Sequence, residues 1–206
     1  LRVQKNIPLE LLSPAIELGI RTGFGGEMIW IGGVKVFADG ALGPQTAAML
    51  TPYQDSGGQK GMLLLSEQEL QETGIRAARH GLPMAFHAIG DRENRTVLNA
   101  LAQVRLFEKQ QGGAVLPHRI EHVQLISPED KDRLAELGIT ASMQPIHAIS
   151  DMEMADRYWG NRASLAYAPQ TQLEAGARVI FGSDAPVENP NPFWGIHAAV
   201  SRRRPD

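Results

Sequence analysis

Residues 77–91, AARHGLPMAFHAIGD, set the reading of the whole chain. A helical stretch stops at Gly81, an apolar strand follows at once, and that strand ends in His87. A Gly directly after a helix takes the left-handed C′ position without a Cβ clash. A helix-to-strand turn this short belongs to α/β units. The same arrangement recurs in IELGIRTGF at Gly19, LAELGITASM at Gly138 and LEAGARVIFG at Gly176. Helix starts are marked as well. Ser66 with Glu69 forms a capping-box pattern, Ser127-Pro128 supplies an N-cap and an N1 proline, and Asp91 is placed to cap the helix carrying Val97, Leu98, Leu101 and Val104. The expected strands lie near 1–4, 33–38, 83–88, 118–123, 138–143 and 178–182, short and nearly continuous in apolar residues, as buried parallel strands are. Strand alternating with helix predicts an α/β fold with a parallel sheet.

The chain has 206 residues, enough for one good core and at most one and a half domains. A complete (β/α)8 barrel takes about 250 residues, so six strands with long loops predict a partial TIM-barrel-type domain. The stretches 39–65 and 144–165, rich in Gly, Pro, Asp and Tyr, are expected to be loops over an active-site face. With 20 basic and 23 acidic residues, there is no electrostatic case for nucleic acid or for an anionic membrane. The terminal SRRRPD reads as a solvated end. The absence of cysteine excludes disulfides, thiolate metal sites and a cysteine nucleophile. No apolar run approaches ~18 residues, so no membrane-spanning helix is expected. The chain opens on Leu1 without a signal-peptide pattern and reads as an excerpt of a longer gene. A cytoplasmic location is the expectation.

Four strand-like segments each end in a residue able to hold a metal. They are Lys35 in VKVFADG, His87 in PMAFHAIGD, His122 in HRIEHV and Asp184 in VIFGSDAP. A metal-dependent hydrolase barrel gathers its site in this way, from the carboxyl ends of several parallel strands. Side chains alternate along a strand. Gly33, Lys35, Phe37 and, if the strand continues that far, Asp39 should therefore share a face, as should Ile120 with His122, and Ile180 with Gly182 and Asp184. Imidazole and carboxylate suit zinc and similar divalent ions. An ammonium repels a cation, but a buried lysine with a lowered pKa can react with carbon dioxide to give an anionic carbamate that bridges two metals. An Asp on the last strand can bind metal and accept a proton from the attacking water. Asp39, in a turn-prone DG, and His147, after Gln144 and Pro145 at a strand end, are candidate substrate contacts. Gly90 and Asp91 should shape a turn. His80 suits a helix C-terminus, and His118 and His197 read as structural. Tyr158, Trp159, Phe193 and Trp194 are expected in loops, lining a pocket or covering the rim.

VKVFADGALG, HAIGD, PHRIEHVQ, ITASMQPIHAISDM, the WG-R of residues 159–162 and GARVIFGSDAPVENPNPFWGIHAAVSR together resemble the amidohydrolase superfamily. More narrowly, they resemble its amidohydrolase family 3 branch, the YtcJ-like and N-substituted formamide deformylase-like hydrolases. The resemblance runs from about Lys35 to Arg203. It implies a distorted (β/α)8 barrel and a site with one or two divalent metals, expected to be zinc, that hydrolyses C–N bonds in amides or related groups of a small-molecule substrate. Carried over, Lys35 is the carboxylated bridging ligand, and His87 and His122 are ligands on the next two strands. Asp184 is the ligand and general base on the last. The branch opens its barrel with a His-x-His or His-x-Asp pair on the first strand, and here the first histidine is His80. The flanking β-sandwich is also missing. Leu1 is therefore expected near the third barrel strand, with residues 1–206 a single domain running to the eighth. Two alternatives stand beside this reading. One is an inactive barrel fragment without a complete metal site, whose open sheet edges invite self-association into a homo-oligomer. The other is an ester or lactone hydrolase using the same ligands.

Overall fold

The computed structural model describes residues 1–113 and 115–204. Six strands form one sheet, ordered as in the chain. They are β1 (Val3–Pro8), β2 (Ile29–Phe37), β3 (Met84–Ala88), β4 (Arg119–His122), β5 (Thr140–Met143) and β6 (Val179–Phe181). Every neighbouring pair is parallel. The helices are α1 (Leu12–Glu17), α2 (Glu67–Arg79), α3 (Asp91–Gln111), α4 (Arg133–Glu136), α5 (His147–Ser150), α6 (Met152–Trp159), α7 (Pro169–Glu174) and α8 (Pro192–Ser201). This is the expected α/β architecture, each strand within a few residues of its predicted place. Among the described residues no helix is long and apolar enough to cross a membrane.

The local chemistry explains the boundaries. Ser66 accepts from the Glu69 N–H while the Glu69 carboxylate accepts from the Ser66 N–H, a reciprocal cap that starts α2. Gly19, Gly81, Gly138 and Gly176 all have positive φ, between 62° and 87°, as the post-helix position requires. Asp91 does not cap α3. Gly90 occupies the N-cap position, and Asp91, one residue inside the helix, accepts from the Leu50 N–H at 2.8 Å. Gly90 packs directly against the 39–65 loop, because a Cβ there would lie 1.9 Å from the Ala48 carbonyl oxygen.

The two faces of the sheet differ. On the outer face Val34, Val36, Met84, Phe86, Ala88, Ile120 and Ala141 join Leu70 and Ala77 of α2 and Val97, Leu98 and Leu101 of α3 in the main core. Burial of each large apolar side chain there contributes about 1.5–3 kcal/mol. His118 is fully buried among them. Its Nδ1 accepts from the Met84 N–H at 2.9 Å and its Nε2 lies 2.9 Å from Glu108 Oε1, joining β3 and the approach to β4 to α3. The inner face lines an open cavity of about 1050 Å³. Residues of both edge strands, Gln4 on β1 and Ile180 on β6, line that one cavity, so the sheet curls toward a barrel.

Residues 39–65 contain no helix or extended strand, as expected. Residues 144–165 depart from the expectation, because they form α5, α6 and a 3-10 turn at Gly160–Leu165. Ile146, Ile149, Ala155 and Trp159 are buried, and intervals of three and four between apolar residues favour helix. Trp159 is thus not a rim residue but part of a second core with Leu42, Met49, Tyr53 and Tyr167.

Candidate functional site

Strand register sets the site. Phe37, His87, Glu121, Ser142 and Ile180 are paired in sequence across β2 to β6, one rung of the sheet. Lys35, Ala85, Arg119 and Thr140 form the rung below. Lys35, Phe37, Arg119, Glu121, His122, Ser142, Gln144, Ile180, Gly182 and Asp184 all border the cavity. The alternation expected for β6 holds, and on β2 it holds for Lys35 and Phe37 but not for Gly33 and Asp39, which do not border the cavity. On β4 it is reversed: Ile120 faces the helical core, and Arg119 and Glu121 face the cavity. His122 follows a core-facing pattern opposite Ala88, yet it borders the cavity because its own backbone turns to φ +78° and that of Val123 to +47°. Strand periodicity alone could not supply that turn.

His87 and His122 stand side by side, ring centroids 4.5 Å apart and nearly perpendicular. His87 Nε2 lies 2.9 Å from the Gly40 carbonyl oxygen. A proton on Nε2 donated to that carbonyl leaves Nδ1 with its lone pair, the usual outer-shell arrangement of a metal-binding histidine. Burial pushes the His87 pKa down, against the Gly40 bond. His122 is pushed down to about 3, first by burial and then by His87, Lys35 and His147. Its Nδ1 is buried and has no hydrogen-bond partner. Burial likewise pushes the Lys35 amine below its ordinary value, with Glu121 and Asp184 opposing. Its ammonium sits over the Phe37 ring at 5.0 Å. Asp184, also at positive φ (+54°), lies on the exposed cavity rim.

The other expected contacts are placed differently. Asp39 is 1% exposed, and its carboxylate accepts from the N–H groups of Ala48, Ile89 and Gly90 at 2.9–3.0 Å. It binds the 39–50 loop to the turn before α3. Its Oδ1 also lies 3.7 Å from His87 Nε2, so Asp39 reaches the site through His87. Burial pushes the Asp39 carboxyl up to about 7, against its backbone N–H donors. His147 starts α5, 7% exposed, its ring stacked parallel to that of His122 with centroids 5.9 Å apart. Sequence reading missed Arg119 and Glu121, an ion pair within the cavity, together with Gln124 and Gln144 beside the histidines. The signal was there in part, since the single apolar residue between Arg119 and Glu121 matches the core-facing positions of β2 and β3.

The amidohydrolase family profile matches residues 1–206. The chain belongs to the amidohydrolase family. Among relatives of this chain, the protein LONG AFTER FAR-RED 3 of Arabidopsis thaliana is 32% identical over 201 residues, 96% of this chain and 34% of that protein. The putative amidohydrolase YtcJ of Bacillus subtilis is 35% identical over 179 residues, 86% of this chain and 33% of that protein. A solved structure of an uncharacterized metal-dependent hydrolase from Pyrococcus furiosus superposes with a TM-score of 0.86 at 33% identity, covering 98% of this chain and 40% of that one. The chain thus spans about a third of the length of these curated relatives.

The family implies a divalent metal, and the donors of this chain suit one chemically. His122, with a buried nitrogen that lacks a partner, shares a cavity wall with the Lys35 amine and the Asp184 carboxylate, and the His87 ring adjoins it. Among the described residues no three His, Asp or Glu side chains converge closely enough to enclose an ion, so the fit is one of donor chemistry and not of geometry.

Proposed function

We propose that this chain carries the strand-end half of a hydrolase site that cleaves a carbon–nitrogen bond of a small, non-peptide amide-type substrate. The observation that supports it most is the His87–His122 pair. His87 Nε2 is engaged by a backbone carbonyl, and His122 Nδ1 is buried without a partner, which leaves nitrogen lone pairs for a cation. His87, His122, Asp184 and a modified Lys35 would hold a divalent ion, taken to be zinc. A bound ion of this kind acidifies water and polarises a carbonyl.

The protein groups supply the rest. Burial keeps His122 unprotonated at neutral pH, the form that can act as a ligand. Lys35 is held on the cavity wall with its amine made easier to deprotonate. The free amine attacks carbon dioxide with its lone pair, forming an N–C bond and releasing one proton to solvent, and the resulting carbamate bears one negative charge. Asp184, at the rim, accepts a proton from the attacking water and can return it to the departing nitrogen. His147 is a substrate contact in this reading, and Asp39 acts by steadying His87.

The test is zinc content by elemental mass spectrometry after loading with bicarbonate and removal of free ion, followed by hydrolysis assays on matched amides and esters. Stoichiometric zinc that depends on both histidines, with turnover of amides, supports the proposal. A folded chain that retains no zinc refutes a self-sufficient half-site, and turnover of esters alone refutes the bond assignment.

A further inference from the structure

Gln124, which has no part in the proposed chemistry, is paired with His147. Gln124 Nε2 lies 3.2 Å from His147 Nδ1, and both side chains are buried. The ring is fixed on its other side by the parallel stack on His122. The backbone supports the arrangement twice. The Gln124 carbonyl accepts from the Tyr167 N–H at 2.7 Å. The Tyr167 hydroxyl donates to Asp151 Oδ2 at 2.8 Å, at the far end of the one-turn helix that His147 begins. The remaining ring nitrogen, His147 Nε2, is buried and has no partner.

An amide N–H donating to Nδ1 requires a lone pair there, so the imidazole proton of the neutral ring sits on Nε2. A buried N–H without a partner is costly, and one kept in a ring stacked on His122, which itself borders the cavity, is suited to an oxygen-bearing ligand. We infer that Gln124 is a positioning residue that fixes His147 with Nε2–H as a hydrogen-bond donor for an oxygen of the bound substrate. This rests on the hydrolase reading for the identity of the ligand, but the tautomer itself does not.

The experiment is long-range ¹H–¹⁵N NMR of the ¹⁵N-histidine-labelled chain, with His147 assigned by His147→Gln and acetate as a product-like oxygen probe. The wild type should show a protonated Nε2 and a bare Nδ1, and acetate should shift the Nε2–H signal. In Gln124→Glu the carboxylate accepts from Nδ1–H, so the two nitrogen signals should exchange character and the acetate shift should be lost. Gln124→Leu, which keeps the volume without either polar group, should give a mixture of tautomers. A wild-type Nδ1–H tautomer, tautomers unchanged in both variants, or an Nε2–H signal unmoved at saturating acetate would each overturn the inference. Failure of the hydrolase reading looks different: no turnover of any amide or ester, with the NMR pattern intact.

Discussion

The rings of His87 and His122 meet edge-on with centroids 4.5 Å apart, although the strand register pairs His122 with Ala88 and His87 with Glu121. The two imidazoles face one another because the chain leaves strand geometry at His122 itself, where φ is +78°. The pair is therefore built by the backbone as much as by the side chains.

Replacing either ring should weaken zinc retention by at least ~10-fold, since each supplies a nitrogen that no neighbour can replace. His122→Asn is the sharper variant, because Asn accepts the left-handed backbone and should preserve the fold. Elemental mass spectrometry after dialysis against a chelator reads the result. Wild-type retention in His122→Asn would remove His122 from the ligand set.

Asp39→Ala should loosen the loop over the site. Three backbone N–H groups, those of Ala48, Ile89 and Gly90, lose their acceptor. The expected cost is about 1–3 kcal/mol. Amide hydrogen exchange should accelerate at those three residues and leave β4 and β5 unchanged. Protection equal to wild type at Ala48 would contradict the assignment.

Glu93 should set an alkaline limit to stability. It is fully buried, neither carboxyl oxygen has a partner, and burial, reinforced by Asp39, pushes its pKa up from 4.5 to about 9. Between those values the unfolded chain binds fewer protons than the folded one, so stability is complete below about 4.5 and falls as pH rises toward 9. At pH 7 the loss is on the order of 3 kcal/mol. Glu93→Gln removes the titration. Its Tm should be close to wild type at pH 5 and exceed it at pH 8, by about 2–4 °C per kcal/mol for a chain of this size. Parallel Tm curves for the two proteins across this range would refute the effect.

His118 should act in the opposite direction. Burial lowers its pKa, partly offset by Glu108, and a proton added to Nδ1 would oppose the Met84 N–H. Below about pH 6.5 the unfolded chain takes up that proton and the folded chain resists it, so stability is lost as pH falls. His118→Phe should be less stable at pH 8 but show a shallower acid limb. An equally steep limb in differential scanning calorimetry would assign the acid sensitivity to other groups.

Much of this architecture was readable in the residues. The C′ glycines and the Ser66–Glu69 cap fix helix ends by local chemistry, so the six strands fell where expected. Lys35 reaches the cavity by simple alternation, whereas Asp184 borders it from beyond the end of β6, on a left-handed backbone turn. What escaped depends on long-range context. Which face of HRIEHV points to the helices is decided by α3 and by the register with β3, and the turn at His122 has no signature in a strand pattern. Asp39 looked like a substrate contact because a DG turn advertises an exposed carboxylate. Its three N–H partners come from residues 9 to 51 positions away, beyond the reach of local reading. The helical spacing of Ile146, Ile149, Ala155 and Trp159 was visible but was masked by the loop-like composition around it.

The positive φ values of His122 and Asp184 narrow what mutation can explore at these two positions. Left-handed backbone is tolerated by Gly, Asn, Asp and His and resisted by β-branched residues. The residue types that hold a cation and those that hold this chain path therefore overlap. A lineage that lost the chemistry would be expected to drift toward Asn or Gly at residues 122 and 184 rather than to Val or Ile. The backbone would then keep a mould of the site after its ligands had gone.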